Sequence, residues 1–439
     1  MNSPFALVNV TVVTGDADGT VTPDQTILVG PDGRITQVGP AAEVTVPTGH
    51  RRIDLTGKHA MPGMINAHAH LFADGKPLPA AFTGEKTENL VAMYMHSPLG
   101  TRMLRKRTKQ NVLTQLNSGV TTIRSLGDVR YEVVHTRDQI AAGEYVGPRI
   151  LASGPLMAAT GGHGAPTIAL ISDNPWDARK NVRTNLRAGV DVIKIAATGG
   201  VTDARAVGEA GRPQLTEEEM AAICEEAHVA GKLVAAHAQS IEGITRALRA
   251  GVDTIEHGSP MNAEMVDLFH ENPKSLHGTS SLVPTLMAAL PLVRLDQSIT
   301  GVNDMVKTNG QMIYDGMIQG IHDALDNGVR IGMGTDSALT YVTHYNTWRE
   351  IDYLIRHGGL TPAQALHAAT QANADMLGLS ADTGAIEAGR FADILIVDDN
   401  PLTAIRTLAH PRLVVARGDV IDDPTVERFP EIDAHLDAI

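Results

Sequence analysis

Six residues in this chain pair a side chain able to serve a metal ion with a place in or at the end of an apolar run. They are His68 and His70 in MINAHAH, Lys194 in DVIKIAA, His237 in AAHAQS, His257 in TIEHGS and Asp336 in GTDS. Residues i and i+2 of a strand face the same side, so the His-Ala-His pair can grip one ion. A lysine inside an apolar run is unusual because an unpaired buried ammonium is costly; a salt bridge to a neighbouring carboxylate is the plain alternative. Asp336 can equally cap a turn, and a single His-x-His pair is common in ordinary packing. What sets the pattern apart is that five separate runs end in metal-type ligands together. Cys224 is the one cysteine, which excludes a disulfide framework and a thiolate metal cluster, so any metal falls to His, Asp, Glu or a modified side chain. The same scarcity points to a reducing compartment and a cytoplasmic protein. Cys224 itself, in EEEMAAICEEAHVAG, reads as a helix packing residue.

The elements that must carry these residues repeat along the middle of the chain. Gly-Val precedes a strand at 119–120, 189–190, 251–252 and 328–329, and Gly231 precedes KLVAAHAQS. Each glycine reads as the left-handed end of a helix feeding a buried strand. Adding MINAHAH (64–70), PRILASG (148–154) and SLVPTL (281–286) gives eight strands alternating with helices. That pattern predicts an α/β protein, a (β/α)8 TIM barrel, with a doubly wound open sheet as the competitor. In a barrel the chemistry sits at the C-terminal strand ends, where the six residues fall. Before about residue 57, and again after about 390, the sequence turns to short strands and turns (FALVNVTVV, a Pro-Asp-Gly hairpin, ADILIVDD, RLVVARGDVID).

Composition narrows the function classes. The 439 residues carry 36 Lys and Arg against 50 Asp and Glu, a net charge of −14, which argues against a nucleic-acid or anionic-membrane surface. Two Trp, seven Tyr and six Phe are too few for base-stacking platforms. No uncharged apolar run approaches the roughly 18 residues of a membrane span. The glycine pairs at 161–162 and 199–200 are not a nucleotide loop, because no Gly-Lys-Ser/Thr follows them.

The runs GKHAMPGMINAHAHL, IKIAATGG, AAHAQS, TIEHGS and GTDS, with TPAQALHAATQANADMLGL and GAIEAGRFADILIVDDNPL, resemble the metal-dependent amidohydrolase superfamily over almost the whole chain. The likeness is to its Xaa-Pro dipeptidase-like, imidazolonepropionase-like and ochratoxin-hydrolase-like branch. Asn66, where many members carry Asp before His-x-His, is a departure at a position that is usually not a ligand. The resemblance implies a small composite β-sandwich from residues 1–57 and 385–425 beside a barrel of residues 58–384. It implies two divalent ions: His68, His70 and Asp336 on the first, His237 and His257 on the second, with Lys194, carbamylated by carbon dioxide, bridging them. Zinc is the preferred ion for such ligands, and manganese, cobalt or nickel would also fit. Burial makes a neutral lysine amine accessible, and carbamylation turns it into a carboxylate that two cations stabilise. Paired metals about 3.5–4 Å apart can hold a bridging hydroxide and polarise a carbonyl, with Asp336 as general base and then acid.

Within the superfamily, the strand-four lysine together with Ser240, where deaminases tend to carry a catalytic Glu, favours a binuclear hydrolase of an amide. A dipeptide-like or N-acyl amino-acid substrate is the expectation. The alternatives are hydrolysis of a urea, carbamate or xenobiotic amide, then a cyclic amide hydrolase or deaminase. A non-catalytic scaffold on the same fold is a different class, against which the complete ligand set argues. His163, in Thr-Gly-Gly-His-Gly, resembles a family histidine near the substrate and is assigned to orient the scissile carbonyl or a substrate carboxylate. His344 resembles a family histidine at the pocket rim, with Tyr341 and Tyr345 sharing that edge. Arg205 and Arg212 could each pair with a carboxylate or simply be exposed loop residues. Phe72, Phe82, Tyr94 and Met95 follow the first strand as further pocket candidates, and residues 282–293 read as a lid or as core. By analogy with the family the chain is expected to be a homo-oligomer.

Overall fold

The computed structural model describes residues 3–77 and 85–439; Phe82 lies outside them. The eight expected strands form the barrel. In order they are Met64–Ala69, Val120–Ser125, Arg149–Ala152, Val192–Ala196, Leu233–Ala238, Thr254–His257, Ser281–Val283 and the segment 331–337. Neighbours run parallel, with Lys194 opposite Ala235, Ala196 opposite His237 and Ala238 opposite His257. The third strand continues after a bend as Leu156–Ala158, which pairs with Ile195 and carries the sheet on to the fourth. The eighth strand is irregular. It closes the ring through parallel bridges Leu282–Ile331 and Ala69–Ser337, and through Ala67 N–H donating to Met333 and Thr335 N–H donating to His68. These closing bonds seat Asp336 beside the His68–His70 pair.

Helices surround the ring, and the repeated glycines do what the spacing predicts. Gly119, Gly189, Gly231, Gly251 and Gly328 all have φ between +66° and +105°. Gly251 ends the helix Ile241–Ala250 in the left-handed region, where a Cβ would also lie 2.7 Å from the Lys274 carbonyl oxygen. The apolar stretch of residues 282–293 is core: the helix Leu286–Arg294 buries Leu286, Met287 and Leu290 completely.

Both ends of the chain meet in one mixed sheet of eight strands. Its N-terminal strands are Phe5–Val13, Val21–Val29, Ile35–Pro40, Arg51–Asp54 and His59–Pro62, so the sheet runs past residue 57. His59–Pro62 is the joint: it lies parallel to Phe5–Val13 and antiparallel to Ile394–Val397, with Leu413–Ala416 and Asp419–Ile421 beyond. Alternating residues Phe5 and Leu7, then Val10 and Val12, join Ile27, Val29, Ile394, Ile396 and Val415 in one buried cluster. Buried Asp393 ties this sheet to the barrel by accepting hydrogen bonds from Arg149 (3.1 Å) and Thr383 (2.7 Å). Among the described residues no helix is long and apolar enough to cross a membrane.

Candidate metal centre

All six residues singled out from the sequence are buried at the C-terminal end of the barrel. Ligand atoms of His68, His257 and Asp336 lie within 4.8 Å of one another. His70 Nε2 is 3.0 Å and His68 Nε2 3.3 Å from Asp336 Oδ1. His237 joins the group through its ring, 4.6 Å from that of His257. The backbone at two of these strand ends is unusual: His257 has φ +74° and Asp336 φ +56°, conformations that cost a non-glycine residue about 1–2 kcal/mol each. Such strain persists only where the surroundings over-determine it, and it concentrates at functional sites.

The other ring nitrogens decide the chemistry. His68 Nδ1 lies 2.8 Å from a Glu256 carboxylate oxygen, and His70 Nδ1 lies 3.1 Å from the Gly127 carbonyl. Both partners can only accept, so both Nδ1 atoms carry hydrogen and the Nε2 lone pairs are aimed at a carboxylate oxygen. Three acceptors face one another and need a positive centre between them, a proton or a metal ion. His257 Nδ1 contacts Thr285 Oγ1 at 2.7 Å, and His237 Nε2 faces the Gly199 carbonyl at 3.3 Å. Burial pulls both His237 and His257 well below the ordinary histidine range, which keeps them neutral as ligands must be. Burial would raise the Asp336 carboxyl, yet the adjoining His68 and His70 rings hold it well below the usual carboxylate range when the positive centre between them is a proton.

Lys194 is 2% exposed and its Nζ has no hydrogen-bond partner among the described residues, so among them the salt bridge that would explain a buried lysine is not formed. Burial draws its amine down to about 8, against the opposing pull of Glu256 and Asp336. The donor set of neutral imidazoles, an ionised carboxylate and an orphaned amine fits divalent cations and a carbamylated lysine.

Behind the ligands lies a buried network. Arg124, wholly inaccessible on the second strand, donates to Glu256 (2.8 Å), Thr254 (2.9 Å) and the Ala67 carbonyl (2.5 Å). Glu256 thus joins Arg124 to His68. Against burial, those two partners hold its carboxyl far below the usual range. Glu350 accepts hydrogen bonds from the Leu286 and Met287 N–H groups (2.8 and 2.7 Å), anchoring the turn that carries Thr285 and, through it, His257. Sequence reasoning passed over all three. For Arg124 and Glu256 a signal existed, a charge inside an apolar strand, as at Lys194; for Glu350, on a helix, none did.

The substrate-side expectations fare unevenly. His163 lies over the centre, its ring stacked on His237 at 4.0 Å and 18°. Arg205 and Arg212 are exposed on the loop after the fourth strand. His344 corrects the expectation of a rim residue. It is buried, receives a hydrogen bond from Gln115 at Nδ1 (3.1 Å) and donates from Nε2 to the Ala73 carbonyl (2.7 Å), leaving no nitrogen for a ligand. Gln115 also accepts from Asn66, so His344 belongs to the scaffold beneath the first strand. Tyr341 is likewise 3% exposed, spends its hydroxyl on the Ile299 carbonyl and packs with Leu295, Ile432 and Leu436. Tyr345 is buried, its hydroxyl accepting from Phe429 N–H.

A closed parallel barrel whose strand ends bring four histidines, an aspartate and an unpaired lysine to one face defines a hydrolase of the metal-dependent barrel class. The sequence profile of the amidohydrolase family matches residues 59–421; the chain belongs to that family and is a hydrolase acting on carbon–nitrogen bonds. Among solved structures it is similar to a Bifidobacterium longum protein provisionally named a prolidase. That protein is 49% identical, with 99% of this chain and 98% of that one covered at a TM-score of 0.88. A Xaa-Pro dipeptidase with methionine bound in its active site is 27% identical, with 96% and 100% of the two chains covered at a TM-score of 0.82. Ochratoxinase from Aspergillus niger is 28% identical over 381 residues, 81% of this chain and 73% of that protein.

Proposed function

We propose that the protein is a binuclear amidohydrolase that cleaves the amide C–N bond of a dipeptide-like or N-acyl amino-acid substrate. The observation that carries the reading is the convergence of His68 Nε2 and His70 Nε2 on Asp336 Oδ1, with each Nδ1 already committed to an acceptor. His68, His70 and Asp336 would hold one ion, His237 and His257 the other, and a carbamylated Lys194 both. When bound, two divalent cations, zinc by preference, supply a hydroxide nucleophile at neutral pH and polarise the scissile carbonyl. Asp336 takes the proton of the attacking group and passes it to the leaving nitrogen, so that an amine and not an amide anion departs. His163, above His237, orients the substrate carbonyl. Similarity to a dipeptidase, to a protein named a prolidase and to ochratoxinase supports amide substrates that contain an amino acid.

The test joins metal analysis to a panel of Xaa-Pro and other dipeptides, N-acyl amino acids, aryl amides and ureas. Two ions per chain and turnover confined to the amino-acid amides are expected. One ion per chain with an unmodified Lys194 overturns the binuclear reading, and turnover of the ureas alone overturns the substrate class.

A further inference from the structure

The His163 ring is held by a residue from a different loop. Its Nδ1 hydrogen-bonds Asp203 Oδ2, forty positions along the chain, on the segment that follows the Lys194 strand. Gln214, at the far end of that segment, accepts from the His163 backbone N–H at 2.9 Å. Two loops from neighbouring strands are therefore clamped together around one imidazole. Gly200 makes the approach possible, because a Cβ there would lie 2.5 Å from His163 Nδ1, 2.7 Å from Cε1 and 2.9 Å from Asp203 Oδ2. His163 Nε2, on the opposite side of the ring from Asp203, has no partner among the described residues. The stacking on His237 holds the ring plane over the candidate metal centre. One nitrogen is pinned by a carboxylate and the other is left free above the site, which is how a histidine is prepared to act on a bound molecule.

We propose that Asp203 is a positioning residue that fixes His163 with Nδ1–H inward and Nε2 toward the substrate. Its negative charge balances the ring when Nε2–H donates to the substrate's carbonyl oxygen. The inference rests on the amidohydrolase reading and extends it to a residue with no contact to the metal ligands' own hydrogen bonds. Asp203 is exposed on its outer side; partial desolvation on its inner side works against its ionised form, yet the His163 ring and the Gly200 N–H draw its carboxyl below the ordinary value, as a working pair requires. Hydrogen-bond donors aimed at developing oxyanion charge are worth about 10²–10³ in kcat.

The experiment compares Asp203→Asn, Asp203→Glu, Gly200→Ala and His163→Ala, plus the His163→Ala/Asp203→Asn double variant, as zinc-loaded full chains. They are assayed on Ala-Pro, or on whichever panel amide the wild type turns over fastest. Asp203→Asn is expected to lower kcat by about 10², with KM within threefold, zinc content and melting temperature as in the wild type, and Asp203→Glu recovering part of the loss. Gly200→Ala should match it by displacing the ring. In the His163→Ala background Asp203→Asn should cost nothing further. A kcat within threefold of wild type, a loss that tracks lost zinc or lowered melting, or a further loss without His163 would each overturn the proposal. ¹⁵N shifts of the His163 ring, assigned by their absence in His163→Ala, give a reading independent of turnover. A ring protonated at Nδ1 is expected in the wild type, and a neutral ring protonated at Nε2 alone overturns the inference even if no panel amide is cleaved. Failure of the amidohydrolase reading would instead show as a zinc-loaded wild type inactive on every amide.

Discussion

Replacing Arg124 by Met removes a guanidinium whose hydrogen bonds go to Ala67, Thr254 and Glu256 and to none of the expected metal ligands, and yet it lies at the root of one. The change strands Glu256, which is wholly buried and among the described residues keeps only His68 Nδ1–H and the Thr254 hydroxyl as donors. Breaking a buried ion pair by deleting one partner costs about 3–5 kcal/mol, because the survivor is left as an uncompensated charge. Against a total stability of about 5–15 kcal/mol that is a third or more in a protein of middling stability. Metal-free protein is the right sample for denaturant unfolding, since bound ions stabilise by mass action and mask the loss. The Arg124→Met/Glu256→Leu pair separates the two jobs of the network. With both charges gone the folding cost should shrink toward zero. His68 nevertheless loses the acceptor that fixes its tautomer, so zinc affinity should fall about 10–100-fold, or about 1.4–2.7 kcal/mol. Competition against a chromophoric chelator reads that directly. If Arg124→Met is as stable as the wild type, or the double variant holds zinc as tightly, the Arg124–Glu256–His68 chain is not what positions the ligand.

Other outcomes follow from the same geometry. Lys194→Met should leave about one ion or fewer per chain and abolish turnover, because it deletes the group expected to serve both ions. In the metal-free wild type, labelled bicarbonate followed by ¹³C NMR should show carbamate rising as pH climbs through about 8, where the Lys194 amine becomes neutral; an uptake independent of pH contradicts the assignment. Glu350 is pushed up to about 8 by burial from an ordinary 4.5. Between those values the folded state holds a proton that the unfolded state lacks. Its contribution is therefore complete below about 4.5 and declines toward pH 8, by up to about 1.4 kcal/mol per pH unit. Glu350→Gln should flatten that decline in metal-free unfolding curves. Cys224, 1% exposed and with its thiol pushed up by burial, should be silent to thiol reagents until the chain unfolds; fast labelling of the native protein would contradict its placement.

Much of the centre was legible because its signals are local. A glycine at a helix end, an alternating apolar strand and a polar residue at the strand's last position all lie within a few residues of one another. Barrel geometry then carries every such strand end to the same face. His68, His70, Lys194, His237, His257 and Asp336 could be found in that way, and Lys194 stood out because a charge in an apolar strand demands an explanation.

The chain's own order of residues determined the barrel, the strand-rich style of its two ends and the side chains gathered at the strand ends, since hydrophobic periodicity and turn chemistry are properties of short segments. The joining of the ends was implied by the family resemblance and is made by pairing between distant strands. Which nitrogen of each histidine is free was decided only by the tertiary structure. Glu256 meets His68 across 188 positions, Arg124 meets Glu256 across 132 and Asp203 meets His163 across 40. His344 and Tyr341 show the converse: residue types suited to a pocket rim are turned inward, where Gln115, Ala73 and Ile299 occupy their polar atoms. Hydrogen-bond partners are chosen by proximity in space, and no local pattern records which distant backbone or carboxylate the closed barrel will bring within 3 Å.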